Sequence, residues 1–232
     1  MTARPNQASA VHGLKCADLV DAMGRLHRHR CHILDLVTPT PGRVLFGSAV
    51  TISYFPSCSA ALDPERYNLA NLFYEAVGDE PAGKVIVLAS NGYTDTSMGG
   101  GTKLLRLHQN GCAGVLTDGR LRDFDELARY DFAAYCSGEA TRWGGDSLTP
   151  FQANVPVVLQ GVGVVPGQYV FADSSGAVLI PGGQIDELLA EARKVEAADA
   201  ASRDQIARER VRVNDHSAST PRPGSTRGAP FA

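Results

Sequence analysis

A chain of 232 residues with 44% hydrophobic and 20% charged residues is long enough for one domain with a buried core. The composition excludes a disordered chain, and a formal net charge of −3 gives no reason to expect nucleic-acid binding. No apolar run approaches the roughly twenty residues that span a bilayer, and the first residues lack the pattern of a signal peptide. The five scattered cysteines contain no Cys-x-x-Cys pair and are expected to be reduced thiols. We therefore expect a cytoplasmic protein with small-molecule or protein partners, and no nucleic acid or membrane.

The first half of the chain alternates between helical and strand patterns. Apolar spacing, β-branched runs and Gly, Pro and Asn breakers predict these elements in chain order: a helix over 11–26, a strand over 47–55, a helix over 68–77, a strand over 84–89, a helix over 101–109 and a strand over 113–117. Strands that alternate with helices indicate a central sheet with parallel pairs, and hence an α/β fold.

The second half is richer in short strands, followed by one long helix. Strands are predicted over 132–135, 155–160, 169–172 and 177–180, and a helix over 184–213. We expect a single domain over 11–213. Residues 1–10 and 214–232 are expected to be flexible, or to form arms that reach a neighbouring subunit.

A glycine-rich stretch, Ser-Met-Gly-Gly-Gly-Thr-Lys over residues 97–103, joins a predicted strand to the next helix. Glycines at this position allow backbone amides at a helix N-terminus to face a ligand anion such as a carboxylate or phosphate. The structural alternative is a tight turn that needs positive φ angles.

The next predicted strand ends in Thr-Asp-Gly-Arg-Leu-Arg-Asp over residues 117–123. Open α/β sheets usually bind ligands at the carboxyl ends of their strands, so the two loops can converge. Arg122 can hold a carboxylate in a bidentate grip, and Asp123 can anchor a hard cation such as Mg²⁺. The alternative is a helix-capping pair with a surface salt bridge.

These motifs resemble the RraA-like family, which contains the regulator of ribonuclease activity A and the 4-hydroxy-4-methyl-2-oxoglutarate (4-carboxy-4-hydroxy-2-oxoadipate) aldolases. The resemblance rests on the glycine loop, the Ala-Gly-Val strand, Asp-Gly and Arg-Asp, and it extends over roughly residues 11–195. Segments 16–24, 47–51, 154–158, 166–173 and 176–181 are also similar to parts of that family.

The resemblance implies a swivelling β/β/α domain with a mixed central sheet and a long C-terminal helix, assembled as a homotrimer or a hexamer with active sites at subunit interfaces. It also implies that Arg122 and Asp123 are catalytic, with Arg122 binding a 2-oxo acid and Asp123 holding Mg²⁺ or Mn²⁺ largely through water. The implied substrate-binding residues of the glycine loop are Gly100, Gly101, Thr102, Lys103 and Leu104. The implied reaction is cleavage of a C–C bond through a stabilised enolate, either aldol cleavage or decarboxylation of oxaloacetate.

Two positions depart from the family pattern. Gly101 stands where an acidic residue is common, so a second acidic contact to the metal shell is missing, and Lys103 stands where an apolar residue is usual. Lys103 either faces a substrate anion or extends to solvent, and we favour solvent.

The polar loop over residues 137–146 contains the single tryptophan and the charged residues Glu139, Arg142 and Asp146. It either shapes a pocket at a subunit boundary or forms an interface without substrate contact.

Two classes of function follow. The first is a metal-dependent lyase, a class II aldolase or oxaloacetate decarboxylase, acting on a small-molecule 2-oxo acid or on a specialised biosynthetic intermediate. The second is a non-catalytic regulator that docks on a ribonuclease or another protein. The Arg122-Asp123 pair favours catalysis, whereas the neutral Gly101 weakens it.

Overall fold

The computed structural model describes residues 11–26, 30–58 and 60–209. Met1–Ala197 and Ala198–Ala232 form separate compact units. The described part of the second unit is a helical segment that ends at Ile206, followed by a turn. No helix within the described ranges is long and apolar enough to cross a membrane.

The described residues form five α-helices and twelve strands. The helices are α1 (Cys16–Leu26), α2 (Leu69–Val77), α3 (Gly101–Gln109), α4 (Phe124–Leu127) and α5 (Ile185–Ile206). The strands are β1 (His32–Ile33), β2 (Leu45–Pro56), β3 (Lys84–Ala89), β4 (Ser97–Gly99), β5 (Gly114–Thr117), β6 (Arg120–Leu121), β7 (Ala133–Tyr135), β8 (Leu148–Ala153), β9 (Val157–Leu159), β10 (Val162–Val164), β11 (Tyr169–Asp173) and β12 (Gly176–Ile180).

An eight-stranded mixed sheet forms the centre of the fold, in the order β1-β12-β11-β2-β3-β5-β7, with β8 also paired to β2. Strands β2, β3, β5 and β7 are parallel, whereas β1, β12, β11 and β8 add to the sheet through antiparallel pairs. The predicted α/β class with a mixed sheet and a long C-terminal helix is confirmed. Strands β3 and β5 end side by side, and the buried Asp118 joins these ends by accepting a 2.8 Å hydrogen bond from the Ser90 amide.

Alternation along β3 explains how both faces of the sheet are buried. Ile86 and Leu88 belong to the hydrophobic cluster that contains Phe73 of α2 and Leu104 of α3. Val85 and its neighbour Val87 belong to the cluster formed with the β9–β10 hairpin. A continuous apolar run is the pattern expected for a strand that is covered on both faces.

The observed boundaries differ from the predicted ones at both ends of the chain. The first helix begins at Cys16 rather than at residue 11, because Gly13 has a φ of 81°, which a helix cannot accommodate. The last helix ends at Ile206, and residues 207–209 already lie outside it. The remaining predicted helical residues, 210–213, and the two predicted arms, 1–10 and 214–232, lie outside the described residues.

Candidate active site

Two short parallel strands, β4 and β6, bring the glycine loop and the Arg-Asp pair together. Ser97 pairs with Arg120, and Gly99 pairs with Leu121. The Arg122 amide then donates a 2.9 Å hydrogen bond to the Gly99 carbonyl. The loops that follow β3 and β5 therefore converge, as the sequence predicted.

Asp123 has a left-handed backbone, with φ 61° and ψ 48°. Aspartate adopts this conformation more readily than most residues, but a left-handed non-glycine residue still costs on the order of 1–3 kcal/mol. Asp123 stands at the N-cap position of α4 without a side-chain cap bond, and its Oδ2 instead accepts a 3.0 Å hydrogen bond from the Gly101 amide. Within the described ranges, Arg122 forms no ion pair. The geometry therefore does not match the alternative of a helix-capping pair with a salt bridge.

Glycine is required at positions 100 and 101 because neighbouring side chains lie close to the backbone there, and not because of positive φ angles. Gly100 has an extended φ of −153°, and neither residue belongs to the positive-φ glycines. A Cβ atom on Gly100 would lie 2.5 Å from Asp123 Oδ2, and one on Gly101 would lie 1.9 Å from Glu126 Oε2. Side chains at these two positions would displace the carboxylates that border the loop.

Glu126 borders the candidate site, although no sequence motif pointed to it. It lies three residues after Asp123 on α4, so the two carboxyl groups both border Gly101. The Tyr130 hydroxyl donates to Glu126 Oε1 at 2.6 Å and also lies 3.2 Å from the Gly101 carbonyl oxygen. The hydrogen bond to Glu126, with some burial and the negative charges of Glu126 and Asp123, raises the pKa of Tyr130 to about 12. Tyr130 therefore stays protonated and serves as a donor that orients Glu126.

Of the four backbone amides at the start of α3, two donate hydrogen bonds to described residues and two do not. The Gly101 amide binds Asp123, and the Leu104 amide donates to the Gly100 carbonyl at 2.9 Å. The amides of Thr102 and Lys103 donate to no described residue. These two are the amides that remain for an anion at this helix N-terminus.

The polar loop over residues 137–146 lies against both halves of the site. Glu139 Oε1 accepts a 3.1 Å hydrogen bond from the Phe124 amide, and Trp143 forms an isolated parallel bridge with Ser97. Arg142 is engaged elsewhere, in an ion pair with Asp95.

Three cavities surround this arrangement. One of about 200 Å³ lies over the glycine loop, lined by Ser97, Gly99, Gly100, Thr102, Lys103, Arg122, Asp123 and Trp143. A second, open cavity of about 460 Å³ lies on the side of Glu139 and Thr141 and also includes Arg122 and Asp123. A third, of about 450 Å³, adjoins the first and is lined by Lys103, Arg106, Trp143 and the surface of α2 and β8.

Positive charge accumulates around the first cavity. Removal from water lowers the pKa of Lys103, and the nearby charges of Arg122 and Arg106 lower it further. The Lys103 residue as a whole is nevertheless exposed, so it lies at the cavity wall and is reachable by a ligand. Among the described residues, none of these three cations has an acidic partner.

The donor atoms here suit a hard divalent cation. Asp123 and Glu126 each have a carboxylate oxygen beside Gly101, and Mg²⁺ is commonly bound by one or two carboxylates with several retained waters. No group of three or more His, Cys, Asp or Glu residues that could hold a metal occurs in the part of the chain that the structure describes. These two residues therefore suit a cation that keeps much of its water shell, and not one whose ligands all come from the protein.

Solved structures share this fold. RraAS2 of Streptomyces coelicolor, titled an unusual member of the RNase ES inhibitor RraA protein family, is 24% identical with a TM-score of 0.75, covering 88% of this chain and 99% of that one. An uncharacterized protein from Pseudomonas syringae pv. tomato is 23% identical with a TM-score of 0.73, covering 89% and 94% of the two chains. At these identities the likeness establishes the fold.

Similar sequences carry two kinds of name. Protein DlpA of Legionella pneumophila is 24% identical over 160 residues, which is 68% of this chain and 25% of DlpA. The "Putative 4-hydroxy-4-methyl-2-oxoglutarate aldolase" of Halalkalibacterium halodurans is 32% identical over 135 residues, which is 58% of this chain and 62% of that protein. The matched segment thus spans less than two thirds of either relative.

The fold and the site together define an α/β protein with a carboxylate and guanidinium cluster at the carboxyl ends of parallel strands. Residues 16–179 match the RraA-like family, described as Aldolase/RraA, and the chain belongs to that family.

Proposed function

We propose that this protein is a divalent-metal-dependent lyase that cleaves a C–C bond of a 2-oxo acid. The observation that supports the proposal most directly is the arrangement around Gly101, which Asp123 and Glu126 both border. Arg122, which has no acidic partner among the described residues, directly follows β6 beside this loop. Aldolase names among the relatives agree with it.

In this proposal the first cavity binds the 2-oxo acid. Arg122 is half-buried and has no acidic partner in the described ranges, so its guanidinium is available for a bidentate grip on the carboxylate or the 2-oxo group. The amides of Thr102 and Lys103, which donate to no described residue, would supply an additional pair of donors for the same anion.

Asp123 and Glu126 are the residues that would hold Mg²⁺ or Mn²⁺, and Tyr130 orients Glu126 by its 2.6 Å hydrogen bond. A bound divalent cation would supply Lewis-acid stabilisation of negative charge on the 2-oxo oxygen. As the C3–C4 bond breaks, its electron pair passes to C3, and Arg122 stabilises the resulting pyruvate enolate until C3 is protonated. Aldol cleavage and oxaloacetate decarboxylation share this enolate.

The test is pyruvate release from oxaloacetate and from branched 4-hydroxy-2-oxo diacids, with Mg²⁺ and with EDTA, for the parent protein and for Asp123→Ala. We expect release that needs the metal and is lost in the variant. Absence of turnover on every compound, or turnover that EDTA does not change, contradicts the proposal.

Self-assembly belongs to the same proposal, with a homotrimer or hexamer that places the site near a subunit boundary in the cytoplasm. Light scattering tests it, because a strict monomer at assay concentration is incompatible with a site completed by a neighbour. The competing proposal, a regulator docked on a ribonuclease, predicts capture of that ribonuclease by a protein that turns over none of these acids.

A further inference from the structure

We propose that the 450 Å³ cavity beside the site is a second subsite that binds an aromatic carboxylate, the distal part of the substrate. This inference extends the proposed function, because it assigns the half of the molecule that leaves as an aldehyde. The compound class is a 4-aryl-4-hydroxy-2-oxo acid with an anionic group on the ring.

The two cavities adjoin each other. The 200 Å³ cavity over Arg122 and the 450 Å³ cavity share three wall residues, Ser97, Lys103 and Trp143. In this inference, a molecule held at Arg122 by its 2-oxo acid end extends past Lys103 into the larger cavity. A volume of 450 Å³ lies within the range of about 300–1,000 Å³ found for small-molecule sites.

The wall of the larger cavity is suited to a flat apolar group. Its side chains are mainly apolar or aromatic, among them Tyr67, Leu69, Trp143 and Leu148. Trp143 is 59% exposed, and its indole lies so close to Gly145 that a Cβ there would be 2.2 Å from Trp143 Cζ2. One part of the indole is thus fixed on the backbone, and the exposed remainder offers a surface on which an aromatic ring can stack.

The positive charges that line the larger cavity indicate that the ligand carries an anionic group. Lys103 and Arg106 both line the larger cavity, and neither has an acidic partner within the described ranges. Arg106 Nη1 donates a 3.3 Å hydrogen bond to the Lys103 carbonyl. An anion on the ring would relieve the repulsion between these cations and accept charge-assisted hydrogen bonds from both. In this inference Lys103 binds the anionic group of the ligand. The sequence had instead favoured a Lys103 side chain that extends to solvent.

The proposed cleavage is balanced without an oxidant or reductant. The C4 hydroxyl loses its proton to a base, the C3–C4 bond breaks and C4 becomes the carbonyl carbon of an aryl aldehyde. The electron pair goes to C3, which takes up a proton to give pyruvate.

Trp143 is the only tryptophan, so its fluorescence reports ligand binding directly. The protein is titrated with benzoate, with benzyl alcohol as the uncharged aromatic compound and with inorganic phosphate as the non-aromatic anion. We expect a saturable change with benzoate, and a Kd at least about tenfold higher for the other two. Lys103→Gln and Arg106→Gln should each raise the benzoate Kd about tenfold, which corresponds to about 1.4 kcal/mol.

Two further variants sharpen the test. Ala70→Phe fills the cavity from α2 and should abolish the benzoate response, whereas Lys194→Gln, an exposed lysine of α5, should leave it unchanged. Equal affinity for benzoate and phosphate, or unchanged affinity in both Lys103→Gln and Arg106→Gln, overturns the inference.

Turnover separates this inference from the proposed function. The compounds are 4-hydroxy-2-oxo-4-phenylbutanoate and its 3-carboxyphenyl counterpart, and we expect kcat/KM to be about tenfold higher for the second. Metal-dependent turnover of oxaloacetate together with no preference for the carboxylated aryl compound overturns the subsite and leaves the lyase proposal standing. Benzoate binding that depends on Lys103, without turnover of any 2-oxo acid, supports the subsite and contradicts the lyase proposal.

Discussion

Glu126 Oε2 fills the space that a side chain on Gly101 would need, since an ideal Cβ there would lie 1.9 Å from this oxygen. In the proposed function, Glu126, three residues after Asp123, supplies the acidic side chain that the family resemblance leads us to expect beside residue 101. We predict that Glu126→Gln raises the apparent Kd for Mg²⁺ by roughly tenfold, because one of two carboxylates beside the cation loses its charge. Pyruvate release from oxaloacetate over a range of buffered Mg²⁺ concentrations measures this.

Moving the carboxylate from residue 126 to residue 101 provides the control. Gly101→Asp alone should inactivate the protein, because its side chain meets Glu126, while Gly101→Asp combined with Glu126→Ala should recover part of the Mg²⁺ affinity. Glu187→Gln, an exposed glutamate of α5, should behave as the parent. If Gly101→Asp is fully active with Glu126 intact, the two residues do not compete for one position.

Asp123→Asn removes the negative charge of residue 123 and keeps a side chain that accepts the left-handed backbone conformation. Asparagine also accepts the left-handed conformation, so the fold and the hydrogen bond from the Gly101 amide can persist. We expect the rate of metal-dependent pyruvate release to fall by roughly a hundredfold or more, with little change in Tm. Asp125→Asn, on the exposed first turn of α4, is the matched control. A variant at 123 with near-parental activity would exclude Asp123 as the metal-holding residue.

Local signals predicted the elements that carry the site. The strand over 84–89 and the helix over 101–109 have the predicted bounds, because a continuous apolar run and an Asn-Gly stop are local features. Strand β8 was not predicted, since Pro150 lies within it and proline argues against a strand. The register of β2 against β8 shifts between Ser53 and Tyr54, next to the pairing of Tyr54 with Pro150, and this irregularity accommodates the proline.

The sequence predicted those features of the candidate site that depend only on which strands are neighbours. Arg122 and the glycine loop follow adjacent parallel strands, so their convergence depends only on sheet topology. The contact between Glu126 and Gly101 joins residues 25 positions apart and depends on the rotamer of one side chain. The available signal was the spacing of Glu126 three residues after Asp123, which places both on one side of a helical turn. The pairing of Trp143 with Ser97 has no comparable local signal.

Lys103→Gln is predicted to stabilise the fold while it weakens anion binding. Removal from water and the charges of Arg122 and Arg106 lower the pKa of Lys103, so the unfolded chain holds this proton more tightly than the folded one. The penalty is present in full below the lowered pKa of the folded state, and it disappears as pH rises from there past the ordinary lysine pKa of about 10.4. We expect Tm to rise by roughly 1–2 °C at pH 7 in low salt, because solvent screens an exposed charge.

The pH dependence of this effect is the check. The difference in Tm between Lys103→Gln and the parent should shrink as pH is raised from 7 toward 10.5, and also as salt is added. A difference that grows with pH, or a variant less stable than the parent at pH 7, would show that Lys103 is favourably paired in the folded protein.

Cys58 should be the one thiol that reacts rapidly in the folded state. It is exposed, whereas Cys16, Cys31, Cys112 and Cys136 are buried. Burial raises the pKa of Cys16 and of Cys112 to about 12 and that of Cys136 to about 11, and it also raises the pKa of Cys31, so their thiolate fractions at pH 8 are very small. Titration with an aromatic disulfide at pH 8 should therefore show one fast equivalent, absent in Cys58→Ser, and four more only after denaturant is added. A second fast equivalent in the native protein would show that one of the buried thiols is accessible, and thiol mapping of the labelled chain would identify it.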